Sequence, residues 1–139
     1  MAVHKSLLRP AAAVLATAII FMARPSIQDI SVSVTNELPD KLLLVHCRSK
    51  DDDLEARAVA PAGGSFEWSF EPSWLGGTLF WCSLAVEDKR LSFVAYDQGD
   101  LYTEYWYVHE DGVYGQNRHA NTTFYEAPWR RVSSRQLFG

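Results

Sequence analysis

The chain has 139 residues, 47% hydrophobic and 22% charged, with 5 Trp, 6 Tyr and 7 Phe, enough apolar side chain for one folded domain, so wholesale disorder is excluded. The 17 acidic and 13 basic residues give a net charge of −4. That is the wrong sign for tracking a phosphate backbone, so no nucleic-acid partner is expected.

Lys5 and Arg9 precede an uninterrupted apolar run, Ala11 to Ala23, that stops at Arg24-Pro25. A bilayer span needs roughly 20 apolar residues and no comparable stretch follows, so residues 1–23 read as a secretory signal peptide, cleaved between Ala23 and Ser26. An uncleaved anchor is the alternative, because Phe21 stands where a small residue is preferred. Cleavage after Ala23 removes two basic residues and no acids, taking the formal charge to −6. The mature protein is expected in the apoplast, without a stable membrane anchor and as a monomer.

Ile30 to Val34 alternates apolar and polar and meets Asn36 and Pro39, which predicts a half-buried strand ending in a turn. Leu42 to Cys47 is almost continuously apolar and predicts a strand buried on both faces, closed by the charged run Arg48 to Asp53. After Gly63-Gly64, Phe66, Trp68 and Phe70 alternate with polar residues and share one face. In Thr78 to Leu84, Leu79 and Trp81 oppose Phe80, Cys82 and Leu84. Phe66, Trp68, Phe70 and Trp81 are assigned to the core between sheets. Leu91 to Tyr96 and Tyr105 to His109 are further strands, separated by the polar tip Asp97 to Asp100, and Asp111-Gly112 turns the chain before Val113-Tyr114. No segment of the mature chain has sustained helical periodicity. The expected fold is all-β, a small antiparallel two-sheet β-sandwich over residues 24–128, with a closed small barrel as the alternative. Residues 129–139, basic and without period, read as a flexible C-terminal tail.

Cys47 and Cys82 are the only cysteines. In an oxidising export pathway an even pair outside a C-x-x-C motif is most simply a disulfide, worth about 4 kcal/mol by loop closure, with two buried thiols as the alternative. Zinc is disfavoured because His46 and Cys47 project to opposite strand faces. Calcium is disfavoured because Asp51-Asp52-Asp53 lacks the alternate spacing, glycine and distal glutamate of a calcium loop. His46, His109 and His119 could in principle supply an acid and a base. No nucleophile elbow accompanies them, however, so neither an enzyme nor a cofactor is expected. Asn121-Thr122-Thr123 is an acceptor pattern for N-glycosylation.

Asn36-Glu37-Leu38, His46-Cys47 followed by Ser49-Lys50-Asp51-Asp52-Asp53-Leu54, and the Phe66, Trp68, Phe70 alternation resemble the first half of the plant self-incompatibility S1 family, the S-protein homologues. Thr78-Leu79-Phe80-Trp81-Cys82, Phe93, Tyr96, Trp106, Val108 and Asp111-Gly112 with Tyr114 resemble its second half, so the likeness runs from Ile30 to Tyr114. It implies a small secreted β-sandwich without enzymatic activity, in a family some of whose members are stigma-secreted ligands recognised by pollen. Two departures stand out. Glu104 and Tyr114 occupy places where relatives carry further cysteines, and Glu55 replaces the glycine that commonly follows the Asp-Asp-Asp-Leu run, which implies a rebuilt turn.

The expected function is therefore an extracellular signalling or recognition ligand that binds a cell-surface receptor through its loops. A secreted defence or inhibitor protein that binds a pathogen enzyme or glycan is the alternative. Lys50, Asp51, Asp52, Asp53, Asp97 and Asp100 are the partner-binding candidates, because they are the most polar connections between strands committed to packing. Leu54 and Tyr102 are the nearest apolar groups expected to add affinity.

Overall fold

The computed structural model describes residues 29–99, 103–117 and 121–132. The expected signal peptide, Asp100, Tyr102, His119 and residues 133–139 lie outside the described residues. The described chain forms β1 (Ile30–Asn36), β2 (Leu43–Ser49), β3 (Asp53–Val59), β4 (Gly64–Phe70), β5 (Leu79–Val86), β6 (Lys89–Asp97), β7 (Thr103–His109), β8 (Gly112–Asn117), β9 (Thr122–Pro128) and β10 (Arg130–Arg131). They make two five-stranded sheets, ordered β4-β1-β7-β8-β9 and β10-β6-β5-β2-β3. Pairing is antiparallel except between β1 and β7, which run parallel. Both sheets are open, so the expected sandwich forms rather than the barrel. No helix among the described residues is long and apolar enough to cross a membrane.

Period-two patterning builds the core. In the first sheet Val32 pairs with Trp68 and Val34 with Phe66, while Val34 also registers with Trp106 across the parallel pair. In the second, Leu43, Val45 and Cys47 of β2 and Phe80, Cys82 and Leu84 of β5 face inward, all buried. Phe70 meets Phe80 at 4.6 Å and Tyr96 at 4.8 Å between ring centroids, and Phe93 meets Trp106 at 4.7 Å. Gly115 lies beneath Trp106 and Phe124: a Cβ there would sit 2.7 Å and 2.6 Å from their rings, so only glycine fits. Cys47 and Cys82 are directly opposite in the β2–β5 register and form the expected disulfide, which faces the core.

Strand two differs from expectation. Leu42 and Leu44 are 55% and 47% exposed, because β2 has only one covered face, and the outer one looks to solvent. Trp81 shares that outer surface instead of entering the core, and the Arg48 guanidinium lies 5.7 Å from its ring centroid. Phe66, Trp68 and Phe70 do face inward, as expected. The expected tail also starts too early at 129. Trp129 is half-buried against the core, its indole Nε1–H donates to the His109 carbonyl at 2.9 Å, and Arg130–Arg131 pair with β6. Residues 129–132 therefore belong to the domain.

Strand directions sort the connections. Those after β1, β3, β5 and β7 leave at one end, here the upper; those after β2, β4, β6 and β8 leave at the other, the lower. The β2–β3 turn, the β4–β5 connection and the β6–β7 connection thus emerge together.

Candidate functional site

At the lower end the β2–β3 turn is a tight hairpin. The Ser49 N–H donates to the Asp52 carbonyl at 2.7 Å and the Asp52 N–H to Ser49 Oγ at 3.1 Å. That geometry leaves Lys50, Asp51 and Asp52 exposed at the tip. Asp53 already belongs to β3. Its Oδ1 lies 2.6 Å from His46 Nε2 and accepts the Glu55 N–H at 2.8 Å. The Glu55 amide, followed by His46, holds the Asp53 carboxyl below the ordinary aspartate value. Glu55 itself adopts φ 61° where the β2–β3 register shifts, so β3 carries a bulge with a left-handed residue. Glu55 thus takes the left-handed conformation that suits glycine, and the expected rebuilding of this turn is not seen. Leu54, expected as an apolar contact for a partner, packs instead against the core as the bulge redirects it.

Asp97 ends β6, is exposed, and its Oδ1 accepts the Gly99 N–H at 2.9 Å. Ser49 pairs with Phe80, and Leu79 with Asp97, so the β2–β3 turn and the start of the β6–β7 connection stand two interstrand spacings apart, roughly 10 Å. The structure therefore brings together Lys50, Asp51, Asp52 and Asp97, which are far apart in sequence.

Sequence reasoning missed the segment between them. Residues 71–78 connect β4 to β5 and carry Trp74 and Leu75, 81% and 79% exposed. The connection is nonetheless firmly built. Ser73 N–H donates to Thr78 Oγ1 at 2.9 Å, and Gly76 N–H to the Ser73 carbonyl at 2.9 Å. Gln98 reaches across from the β6–β7 connection: its Nε2 donates to the Ser73 carbonyl at 2.8 Å and its Oε1 accepts the Thr78 N–H at 2.9 Å. Between this loop and the β2–β3 turn lies a cleft of about 450 Å³. Lys50, Asp51, Asp52 and Glu71 line it above a floor that includes Leu79 and Trp81. The signal in the sequence was an apolar pair without strand periodicity, set between Pro72-Ser73 and Gly76-Gly77.

His46 and His109 are not brought together. His46 lies on the outer face of one sheet, paired with Asp53, whereas His109 ends β7 of the other sheet with its Nε2 3.1 Å from Glu37 Oε2. Among the described residues no cluster of three or more His, Cys, Asp or Glu could hold a metal ion. Asn121, the glycosylation candidate, is exposed, has φ 52° and precedes β9 at the lower end.

Residues 31–129 match the family described as plant self-incompatibility protein S1. The chain is 39% identical to S-protein homolog 29 of Arabidopsis thaliana over 87 residues, covering 59% of this chain and 64% of that relative. It is 42% identical over 67 residues to S-protein homolog 2 of the same plant, covering 48% of this chain and 41% of the relative. With S-protein homolog 3 it shares 42% identity over 67 residues, 48% of this chain and 44% of the relative. The chain thus aligns with less than two thirds of the length of each of these relatives. No solved structure matches it. A match over residues 31–129, spanning the sandwich from β1 to Trp129, shows that the chain belongs to the plant self-incompatibility protein S1 family.

Proposed function

We propose that this S-protein homologue is secreted into the apoplast after removal of residues 1–23 and acts there as a monomeric recognition ligand for a cell-surface receptor. The observation that carries this reading is the gathering of the polar connections, Lys50 to Asp52 and Asp97, at the lower end of the sandwich. The inward-facing strand side chains are committed to the core, and the loops are what the fold varies most freely without unfolding. Among the described residues, the Asp51 and Asp52 carboxylates have no ion-pair partner within 4.0 Å, and on an acidic chain they present negative charge to a basic receptor surface. Exposed charges are screened beyond about 8 Å at physiological ionic strength, so they steer encounter more than they hold the complex. A glycan on Asn121 is compatible with this role, because the side chain is exposed beside the first residues of β9.

The test uses secreted, fluorescently labelled protein on intact plant cells. Saturable surface binding is expected, with an on-rate that falls about tenfold or more as salt rises, and falls again in the D51N/D52N variant. This pair is preferable to a triple replacement because Asp53 is bonded within the fold. Non-saturable binding, or an on-rate indifferent to salt and to both aspartates, overturns the reading.

A further inference from the structure

We infer that the cleft between the β2–β3 turn and the β4–β5 connection, together with Trp74 and Leu75, which stand on that connection beside the cleft and not in its lining, binds a partner segment carrying a Lys or Arg beside an apolar side chain. This deepens the receptor-ligand reading and rests on it for the source of the segment. Single exposed apolar residues are ordinary on a protein surface. An adjacent tryptophan and leucine, 81% and 79% exposed, on a loop held by bonds from another connection are not. A loop kept this way presents its apolar pair in a set position, which lowers the ordering cost of binding. Tryptophan is also among the residues most often dominant in binding interfaces.

Charge selects the occupant. The carboxylates of Asp51, Asp52 and Glu71 line the cleft against the single ammonium of Lys50. None of the three has an ion-pair partner within 4.0 Å among the described residues. A basic side chain entering from solvent would meet those carboxylates, while an apolar neighbour would cover Leu79, Trp81 or the Trp74–Leu75 pair. Arg48 already lies over Trp81, 5.7 Å from its ring centroid, so that indole face is taken and an incoming cation is drawn to the carboxylates instead. The acidic wall repels an anionic lipid surface, so a protein segment is favoured over a membrane.

The probe is a synthetic hexapeptide, Gly-Lys-Leu-Arg-Phe-Gly, compared with its charge-reversed form, Gly-Glu-Leu-Glu-Phe-Gly. Binding to the full secreted chain is followed by amide NMR shifts and tryptophan fluorescence. The basic peptide is expected to shift residues 49–52 and 71–78 saturably, with affinity about tenfold or more above the charge-reversed peptide. The W74A/L75A variant, with unchanged melting temperature, is expected to lose about tenfold or more, and Gln98→Ala to lose less by freeing the loop. Equal binding of the two peptides, no saturable shift at millimolar peptide, or unchanged affinity in W74A/L75A overturns the inference. So does partition of the protein into phosphatidylcholine–phosphatidylserine vesicles through Trp74. If labelled W74A/L75A protein still binds cells as the parent does while D51N/D52N does not, the cleft is refuted and the receptor reading survives. If the basic peptide binds the cleft but the parent protein shows no saturable binding to cells, the cleft is supported and the receptor reading fails.

Discussion

At the upper end of the sandwich, the side chain of Asn36 ties three segments together: its Nδ2 donates to the carbonyls of Lys41 at 2.8 Å and Val59 at 3.1 Å, and its Oδ1 accepts the Leu38 N–H at 3.0 Å. The Lys41–Glu87 ion pair, the contact of His109 Nε2 with Glu37 and the Trp129 indole add further bonds at that end. At the lower end the bonds run between loops as well, through Gln98, yet they leave Trp74, Leu75, Asp51 and Asp52 facing outward. Asp40, Asp88 and Glu110 are exposed at the upper end too, so the contrast lies in Asn36, which bonds three segments of the upper end, and in the exposed Trp74–Leu75 pair, which stands at the lower. Under the proposed function the upper end answers for stability and the lower for recognition, so substitutions at the two ends should report different quantities.

The largest effect tests the strands between the ends. The Cys47–Cys82 bond joins β2 and β5 two rungs above the lower loops. Replacing both cysteines with serine should cost about 2 to 5 kcal/mol in urea unfolding, because no second disulfide shares the role. Asn36→Ala is next. It leaves the Lys41 and Val59 carbonyls and the Leu38 N–H without their partner in a fully buried site, and should cost about 3 kcal/mol by the same measurement. A loss below about 0.5 kcal/mol would mean that the upper end is not held as described.

Glu55→Gly sharpens the comparison in the opposite direction. A non-glycine residue at φ 61° stores backbone strain of order 1 kcal/mol, and glycine's own entropy cost is about 0.5 to 1 kcal/mol, so glycine should leave stability unchanged or raise it by up to about 0.5 kcal/mol. Here the family resemblance was informative through a departure, since Glu55 stands where it implies glycine. The aromatic alternation of β4 was legible for a simpler reason: period two survives wherever one face is buried. That rule misled at β2, where Leu42 and Leu44 are apolar on an exposed face and imitate a doubly buried strand. β3 went unseen because Leu54-Glu55-Ala56-Arg57-Ala58 has weak strand propensity and follows the charged run without a pause. Trp81 was misplaced because hydrophobicity alone does not tell which side of a sheet is covered.

The Asp53 carboxyl gives a pH test of the lower hairpin. Its folded pKa is lowered, first by the Glu55 N–H and then by His46, so the ionised form is favoured by folding. The stabilisation is fully present above the ordinary aspartate value of 3.8 and is lost as pH falls through the lower folded value. Thermal melts of the parent and Asp53→Asn should therefore differ most at neutral pH and converge in acid. A gap that widens below about pH 4 would show the sign to be wrong.

The smallest expected effect sharpens the comparison most. Trp74 and Leu75 keep about four fifths of their surface in solvent, so truncating both to alanine removes almost no burial that folding created. The hydrogen bonds that shape their loop use backbone groups and the side chains of Ser73, Thr78 and Gln98, all of which the double variant retains. Stability should change by no more than about 0.5 kcal/mol, the range of surface substitutions away from packing and capping features. The same truncation of a core aromatic such as Trp68 should cost about 3 to 5 kcal/mol, so the two tryptophans, only a few residues apart in the chain, calibrate each other. A double variant that melted well below the parent would mean that the exposed pair rests on something in the folded domain, and the lower end would then be finished by packing in the same manner as the upper.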